Sequence, residues 1–259
     1  MTDPEGQTPQ FLDAEHGTRI AYHRLQGHLP GIVFLGGFAS DMTGTKALAL
    51  ENFARQHERA FVRFDYQGHG QSSGRFEDGT IGQWTRDAIA VLDHLTTGPQ
   101  VLVGSSMGGW IMLLAALARS GHVAGLLGIA AAPDFTEDLM WATMGEEQRR
   151  AVREDGVYYE PSSYGNPLPI TRRLIEEGRS HLLMRGPIPL ACPIRLIQGM
   201  HDEEVPWRVA IDLQEKVQSE DVEVVLIKHG DHRLSDPVDL TRLRYQLFRL
   251  LDHVAGKPA

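Results

Sequence analysis

The sequence predicts a single α/β domain in which a mostly parallel sheet of eight strands is flanked by helices. Its 259 residues suit one such domain. Short apolar runs alternate with longer helical patterns, which indicates βαβ units stacked in three layers. Several runs, such as Gly31–Gly37 and Gln100–Gly104, are apolar without alternation. Such runs are typical of strands covered on both faces, as in a parallel sheet.

The individual elements follow in chain order. The predicted strands are FLDA, RIAYHRL, GIVFLGG, AFVRFDY, QVLVGSS, VAGLLGIAA, PIRLIQG and VEVVLIK. Helical spacing of apolar residues predicts helices over Thr80–Thr96, Met107–Arg119, Pro206–Val217 and Asp236–Val254. Thr80 has a side chain suited to capping the first of these helices, and Pro206 suits the first turn of the third.

One region, from about residue 134 to 189, breaks this alternation. It is rich in proline and glycine, and no strand is predicted within it. We interpret it as a helical lid inserted over one end of the sheet, with a second small domain or a long surface excursion as the alternative. Its apolar residues either form a binding pocket or belong to an ordinary core, the candidates being Met140, Trp141 and Met144.

Composition excludes several classes of partner. The formal net charge is −9, so a nucleic acid is not expected to bind. The longest apolar stretch, around Trp110–Ala118, is too short to span a bilayer, and no stable membrane insertion is expected. Cys192 is the single cysteine, which excludes an intrachain disulfide. The acidic, polar start MTDPEGQTPQ lacks features of a targeting peptide, so we expect a cytoplasmic protein.

A glycine-flanked serine follows the fifth predicted strand. In VGSSMGGW the pattern G-x-S-x-G fits only with Ser106 at its centre, between Gly104 and Gly108. A strand, a sharp turn and a helix around this pattern form a nucleophile elbow, which exposes the serine hydroxyl above the sheet. The helix N-terminus that follows favours a developing negative charge. The sequence therefore predicts Ser106 as a nucleophile.

A serine nucleophile needs a base and an acid that orients the base. After the last strand, HGDHRLSD offers two histidines, and we assign the base to His232 rather than His229, which adjoins the strand end. The acid is assigned to Asp202 in QGMHDEEVPW, with Asp134 as the rival. Glu203 and Glu204 are expected to be solvated. Consecutive residues of one turn rarely converge on one ion, so no metal site is predicted there.

Two further loops after strands bear on the predicted site. An oxyanion would be bound by the backbone N–H of Met107 and by that of Phe38, since Gly36 and Gly37 let the chain turn inward. The glycine-rich segment Asp65–Gly74 lacks the spacing of a nucleotide-binding loop and is interpreted as a structural loop.

These motifs identify the chain as similar to the α/β-hydrolase superfamily, and within it to the mitochondrial palmitoyl-protein thioesterases of mammals. The similarity covers nearly the whole chain and is carried by GIVFLGGFASDMTGTKALALENFA, VRFDYQGHGQSSG, GPQVLVGSSMGGWIMLLAA, CPIRLIQGMHDEEVPW and KHGDHR. It implies the α/β-hydrolase fold and a serine hydrolase of acyl thioesters or esters, acyl glucuronides included. It also supports Ser106, Asp202 and His232 in the triad.

The expected substrates are small-molecule acyl esters or thioesters, with S-acylated proteins as a further class. No cofactor is expected. A C–C bond hydrolase or a perhydrolase would use the same triad and stays open. A catalytically silent binding module is the alternative from another class, although all three triad residue types are present.

Overall fold

The structure, a computed structural model, describes residues 8–14, 17–161 and 167–256. Residues 1–7, on which the expected cellular address largely rests, lie outside this range. The strands are β1 Gln10–Asp13, β2 Arg19–Leu25, β3 His28–Leu35, β4 Arg59–Phe64, β5 Gln100–Ser105, β6 Val123–Ile129, β7 Val157–Glu160, β8 Leu168–Thr171, β9 Ile194–Gly199 and β10 Val222–Ile227. The helices are α1 Thr45–Gln56, α2 Ile81–Leu95, α3 Met107–Ala118, α4 Glu146–Glu154, α5 Arg172–Gly178, α6 Arg208–Lys216 and α7 Pro237–Ala255.

Eight strands form the main sheet in the order β1-β2-β4-β3-β5-β6-β9-β10. β2 pairs antiparallel with β1 and with β4, and every other pair is parallel. The predicted mostly parallel eight-stranded sheet is therefore confirmed. Because β3, β5, β6, β9 and β10 run in the same direction, the loops that follow them meet at one edge of the sheet.

The continuous apolar strands are explained by cores on both faces of the sheet. In β3, Val33 and Leu35 pack into the core shared with α2 and α3, whereas Ile32 and Phe34 pack into the core shared with α1 and α7. Successive side chains of a strand point to opposite faces, so a strand buried on both faces needs apolar residues throughout.

The predicted helices are present, and a further one lies between β3 and β4. In α2 the side chain of Thr80 accepts a hydrogen bond from the backbone N–H of Gln83 at 3.2 Å, so Thr80 caps the helix as expected. The additional helix is α1, which was not predicted. Its inner face buries Leu50 and Phe53 against the sheet.

Between β6 and β9 the chain leaves the sheet. This segment, called the insertion below (residues 134–189), contains a π-helix over Thr136–Trp141, followed by α4, β7, β8 and α5. β7 and β8 form an antiparallel two-stranded sheet, so the expectation that the insertion has no strand is wrong. Short strands with proline in one of them give a weak sequence signal, because such a pair is stabilised by its tertiary contacts.

Candidate active site

Ser106 lies at the sharp turn between β5 and α3. Its backbone has φ +53° and ψ −120°, a conformation that costs free energy for a residue with a side chain. Both flanking glycines are required by close contacts. A Cβ at Gly104 would stand 2.4 Å from the carbonyl oxygen of Gly108, and a Cβ at Gly108 would stand 2.2 Å from that of Leu35. The turn can therefore form only with glycine at these two positions.

Three side chains predicted from distant loops come together at this turn. Nε2 of His232 lies 3.1 Å from Oγ of Ser106. Nδ1 of the same ring lies 2.9 Å from Oδ2 of Asp202. A carboxylate only accepts hydrogen bonds, so Nδ1 carries the proton and Nε2 is left with a lone pair facing the serine hydroxyl. This arrangement can transfer a proton from Ser106 to His232.

The carboxylate of Asp202 is fully buried and is fixed by neighbours other than the histidine. Its Oδ2 also accepts a hydrogen bond from the side-chain amide of Gln198 at 2.8 Å. Its Oδ1 accepts the backbone N–H groups of Glu204 at 2.9 Å and Val205 at 2.8 Å. These donors stabilise the charged carboxylate and hold it in one orientation.

Asp134, the rival acid, occupies a different place. Its carboxylate is buried and accepts the backbone N–H groups of Leu183 at 2.8 Å and Met184 at 2.9 Å, near the guanidinium of Arg185. Burial raises the pKa of the Asp134 carboxyl above its usual value, although these hydrogen bonds oppose the shift. Asp134 thus ties the start of the insertion to its end, and Asp202 is the carboxylate that contacts His232.

Glu203 and Glu204 were expected to be solvated, but the side chain of Glu204 is only partly exposed to solvent. Its side chain is 56% exposed, yet Oε2 lies 3.4 Å from Nε2 of His232. No sequence pattern indicates this contact, which depends on how the turn folds. His229 is exposed, and its ring packs against that of His201 with centroids 5.3 Å apart.

The loop after β3 passes directly beside the nucleophile. A Cβ at Gly37 would lie 3.4 Å from Cβ of Ser106, so the chain at Gly37 and Phe38 borders the site. Met107 is the first residue of α3, and N–H groups of the first helical turn have no acceptor within the helix. The two backbone segments predicted to bind an oxyanion therefore flank Ser106.

Buried polar groups fix the loop after β3. The backbone N–H of Met42 donates to Oδ1 of Asp65 at 2.7 Å. The backbone carbonyl of Met42 accepts a hydrogen bond from the guanidinium of Arg63 at 3.1 Å. Arg63 in turn pairs with Glu51 of α1 at 2.6 Å. Burial raises the pKa of the Asp65 carboxyl, with its backbone hydrogen bonds opposing that shift. Asp65 begins the glycine-rich segment Asp65–Gly74 and accepts hydrogen bonds from Gln71 and Ser72 within it. This segment therefore supports the neighbouring loop through the contact of Asp65 with Met42.

A cavity of about 590 Å³ opens onto Ser106 and His232. Its apolar lining residues include Phe38, Ala132, Phe135, Leu139, Met140 and Leu168. Its charged lining residues are Asp41, Lys46, Glu204 and Arg233. A lining of both kinds suits a ligand with an apolar part and a polar part.

The three apolar candidates of the insertion are placed differently. Met140 lines the cavity. Met144 is buried in a small apolar cluster with Val152 and Ile170, and Trp141 packs against that cluster. The ring of Trp141 also faces guanidinium groups of Arg149, Arg153 and Arg179 at 5.3 to 5.8 Å. Met140 is therefore the one of the three that a bound ligand would reach first.

Lys46 of α1 is a cavity residue that the sequence did not reveal. Its ammonium donates to the backbone carbonyl of Arg233, next to His232, at 2.5 Å. Burial, followed by the neighbouring Arg233, lowers the pKa of Lys46 to about 8. Lys46 could have been placed at the cavity only if α1 had been predicted, because this helix brings Lys46 there.

Other chemistry finds less support among the described residues. Within residues 8–14, 17–161 and 167–256, no group of three or more His, Cys, Asp or Glu side chains is placed to hold a metal ion. Over the same range, no helix has the length and apolar character needed to cross a membrane.

Burial raises the pKa of the Cys192 thiol to about 11, which makes it a poor nucleophile near neutral pH.

Comparison with known proteins gives a consistent result. Residues 30–153 match the family described as serine aminopeptidase, S33. The chain is 42% identical over 247 residues to the mitochondrial palmitoyl-protein thioesterase ABHD10 of Pongo abelii, covering 95% of this chain and 80% of that relative.

Two solved structures agree with this. Mouse α/β-hydrolase domain-containing protein 10 superposes with a TM-score of 0.88 at 39% identity, covering 96% of this chain and 100% of that one. A hydrolase structure from Agrobacterium vitis S4 gives a TM-score of 0.90, also at 39% identity, over 94% of this chain and 98% of that one. The chain therefore belongs to the α/β-hydrolase superfamily, in the family of the ABHD10 proteins, and is a serine hydrolase.

Proposed function

We propose that this protein hydrolyses acyl thioesters and carboxylic esters through a triad of Ser106, His232 and Asp202. The observation that carries the proposal is the pair of contacts made by one imidazole ring. Nε2 of His232 lies 3.1 Å from Oγ of Ser106, and Nδ1 lies 2.9 Å from Oδ2 of Asp202. This is the geometry that a hydroxyl needs to act as a nucleophile near neutral pH.

In the proposed reaction, Oγ of Ser106 attacks the acyl carbonyl carbon while its proton moves to Nε2 of His232. The charge on the imidazolium is stabilised by Asp202, whose carboxylate is fully buried. The tetrahedral intermediate expels the thiol or alcohol, which takes the proton as the bond to carbon breaks. Water then attacks the carbonyl carbon of the acyl-enzyme while His232 takes one of its protons. The bond to Oγ of Ser106 breaks, Oγ takes that proton back from His232, and the carboxylic acid leaves. No cofactor takes part.

The oxyanion of each intermediate is bound, in this proposal, by the backbone N–H groups of Phe38 and Met107. A Cβ at Gly37 would lie 3.4 Å from that of Ser106, and Met107 is the first residue of α3, which supports both positions. A helix N-terminus adds a favourable potential for negative charge.

The insertion is proposed to act as a lid on a single α/β-hydrolase domain. The acyl chain would lie against the apolar lining residues Phe135, Leu139 and Met140, and the leaving group would lie toward the charged lining residues. Substrate contacts of Trp141 and Met144 stay a prediction, since the structure places both in the small cluster of the insertion.

The substrate class is inferred from the mixed lining of the cavity and from the relatives. Relatives named palmitoyl-protein thioesterases are about 40% identical to this chain. We propose that the protein removes acyl groups from small thioesters or esters and from S-acylated proteins. A cytoplasmic address stays a prediction, and the relatives' names, which place them in mitochondria, give it no support. Fractionation of cells that express the tagged chain tests the address.

A matched pair of substrates tests the activity. S-Ethyl thiooctanoate and ethyl octanoate differ in one atom, and both should be hydrolysed by the purified chain. Ser106→Ala should abolish turnover of both and should prevent labelling by a fluorophosphonate, whereas Ser105→Ala, one residue earlier, should retain both. Failure of the native chain to label would favour a silent binding module. Labelling without hydrolysis of either substrate would favour a C–C hydrolase or a perhydrolase.

A further inference from the structure

The imidazole of His232 has a carboxylate at each of its ring nitrogens. Nδ1 faces Asp202, and Nε2, the nitrogen that faces Ser106, also lies 3.4 Å from Oε2 of Glu204. Both carboxylates come from one turn after β9. The backbone N–H of Glu204 donates to Oδ1 of Asp202 at 2.9 Å, and this hydrogen bond holds the backbone of Glu204 beside the first carboxylate.

The contact with Glu204 changes its character when the ring is protonated. In the neutral ring Nε2 carries a lone pair, which an ionised carboxylate cannot engage. Once Nε2 has taken the proton of Ser106, it becomes a charged donor with a carboxylate in reach. The interaction is therefore stronger in the state that forms during the reaction than in the resting state, which is the condition for a catalytic effect.

We propose that Glu204 is a positioning residue that acts through His232, stabilising the positive charge that forms on the imidazole at Nε2. This inference rests on the proposed function of Ser106 and His232. Glu204 stabilises the charge that forms on the base, and is not itself required for bond cleavage.

Other charged groups also face the imidazole. Asp202 lies at Nδ1, and Asp231 and Arg233 flank His232 in its own loop. From other elements, Lys46 of α1 donates to the carbonyl of Arg233, and Asp41 lines the same cavity. Burial lowers the pKa of Lys46 to about 8, so Lys46 keeps its charge in acid.

The sign of the effect follows from the charge. A nearby carboxylate favours the protonated ring, so the base becomes active at a higher pH than it would without Glu204. In Glu204→Gln the acid limb of the profile of kcat/KM against pH should move to lower pH, by about half a unit because the carboxylate is partly solvated. The shift should shrink in about 1 M salt, where exposed charges are screened.

The experiment measures kcat/KM for S-ethyl thiooctanoate across the acid limb in the native chain, Glu204→Gln and Glu203→Gln. Glu203 is the exposed neighbouring carboxylate and serves as the matched control. A downward shift in Glu204→Gln alone supports the inference. Coincident limbs in all three proteins, or equal shifts in both variants, would overturn it.

Imidazole NMR gives the same comparison without substrate, since it follows the protonation of His232 directly. The midpoint of its titration should be lower in Glu204→Gln than in the native chain and in Glu203→Gln. An unchanged midpoint would overturn the role of Glu204 and leave the proposed function intact. Absence of turnover by the native chain would instead contradict the proposed function, and the NMR comparison would still decide the role of Glu204.

Discussion

The ring of Phe38 meets the ring of Phe135 edge to face, with their centroids 5.8 Å apart. Phe38 belongs to the loop after β3, and Phe135 stands at the beginning of the insertion. The Phe38 ring also meets Phe76 at 4.9 Å and Trp84 at 5.9 Å. Aromatic contacts of this kind stabilise a defined geometry. The backbone at Phe38 is therefore held by side chains from three separate parts of the chain.

Phe38→Ala should lower kcat more than it alters KM. The substitution keeps the backbone N–H that we propose to bind the oxyanion, but removes the ring that holds it in place. Misplacement of one such donor should lower kcat by about ten- to a hundred-fold. Steady-state kinetics with S-ethyl thiooctanoate measure this. Phe38→Leu keeps apolar bulk and should lose less, and unchanged kcat in Phe38→Ala would show that the ring does not position the loop.

Asp202 and Asp134 should give opposite results when each is changed to Asn. Asp202→Asn should lower kcat by about ten-thousand-fold, because an amide favours the wrong tautomer of His232. Asp134→Asn should keep kcat within a few-fold and should lower the melting temperature, since Asp134 accepts two backbone N–H groups in a buried place. The loss of stability should be about 1 to 3 kcal/mol. Loss of turnover confined to Asp134→Asn would reverse the assignment.

The sheet could be predicted from the sequence because each strand has a local pattern of apolar residues. In β3, consecutive apolar residues such as Val33 and Phe34 serve two different cores, and this leaves a continuous run that can be recognised directly. Ser106 could be placed because its turn needs glycines at fixed spacing. The structure brings it together with the residues expected from the loops after β9 and β10.

What the sequence did not reveal depends on contacts between distant segments. Glu204 is largely exposed, as expected of a glutamate in a turn, and its contact with His232 depends on how the turn after β9 folds against the loop after β10. Lys46 enters the cavity because α1 packs on the sheet, and that helix was missed although Leu50 and Phe53 have helical spacing. Local patterns do not specify which loop a charged side chain will meet.

Leu139 should limit the length of the acyl chain. It lines the apolar part of the active-site cavity and also borders a second cavity of about 550 Å³, which is lined largely by the charged side chains of Asp138, Arg185, Asp212, Glu215 and Lys216. Leu139→Ala should widen the active-site cavity and raise kcat/KM for S-ethyl thiopalmitate relative to S-ethyl thiooctanoate by about ten-fold. Met184→Ala enlarges only the second cavity and is the control. Equal ratios in Leu139→Ala and the native chain would mean that the acyl chain runs elsewhere.

His69 should make the folded state sensitive to acid. Its side chain is 3% exposed, its Nδ1 faces the carbonyl of Gln67 at 3.1 Å, and its ring packs between Phe76 and Trp84. Burial lowers the pKa of His69 to about 4 from its ordinary value of 6.5. Between these two values the unfolded chain binds a proton that the folded chain does not. Stability should therefore fall as the pH drops from 6.5 to 4, by about 3 kcal/mol from this group.

Urea unfolding at a series of pH values measures this contribution of His69. His69→Phe keeps an aromatic ring in the cluster but cannot be protonated, so its stability should fall less steeply over that interval than that of the native chain. The difference between the two proteins isolates this residue from other titrating groups. His94→Phe changes an exposed histidine of α2 and should follow the native slope. Parallel curves for the native chain and His69→Phe would show that the folded state accommodates a proton on His69 without loss of stability.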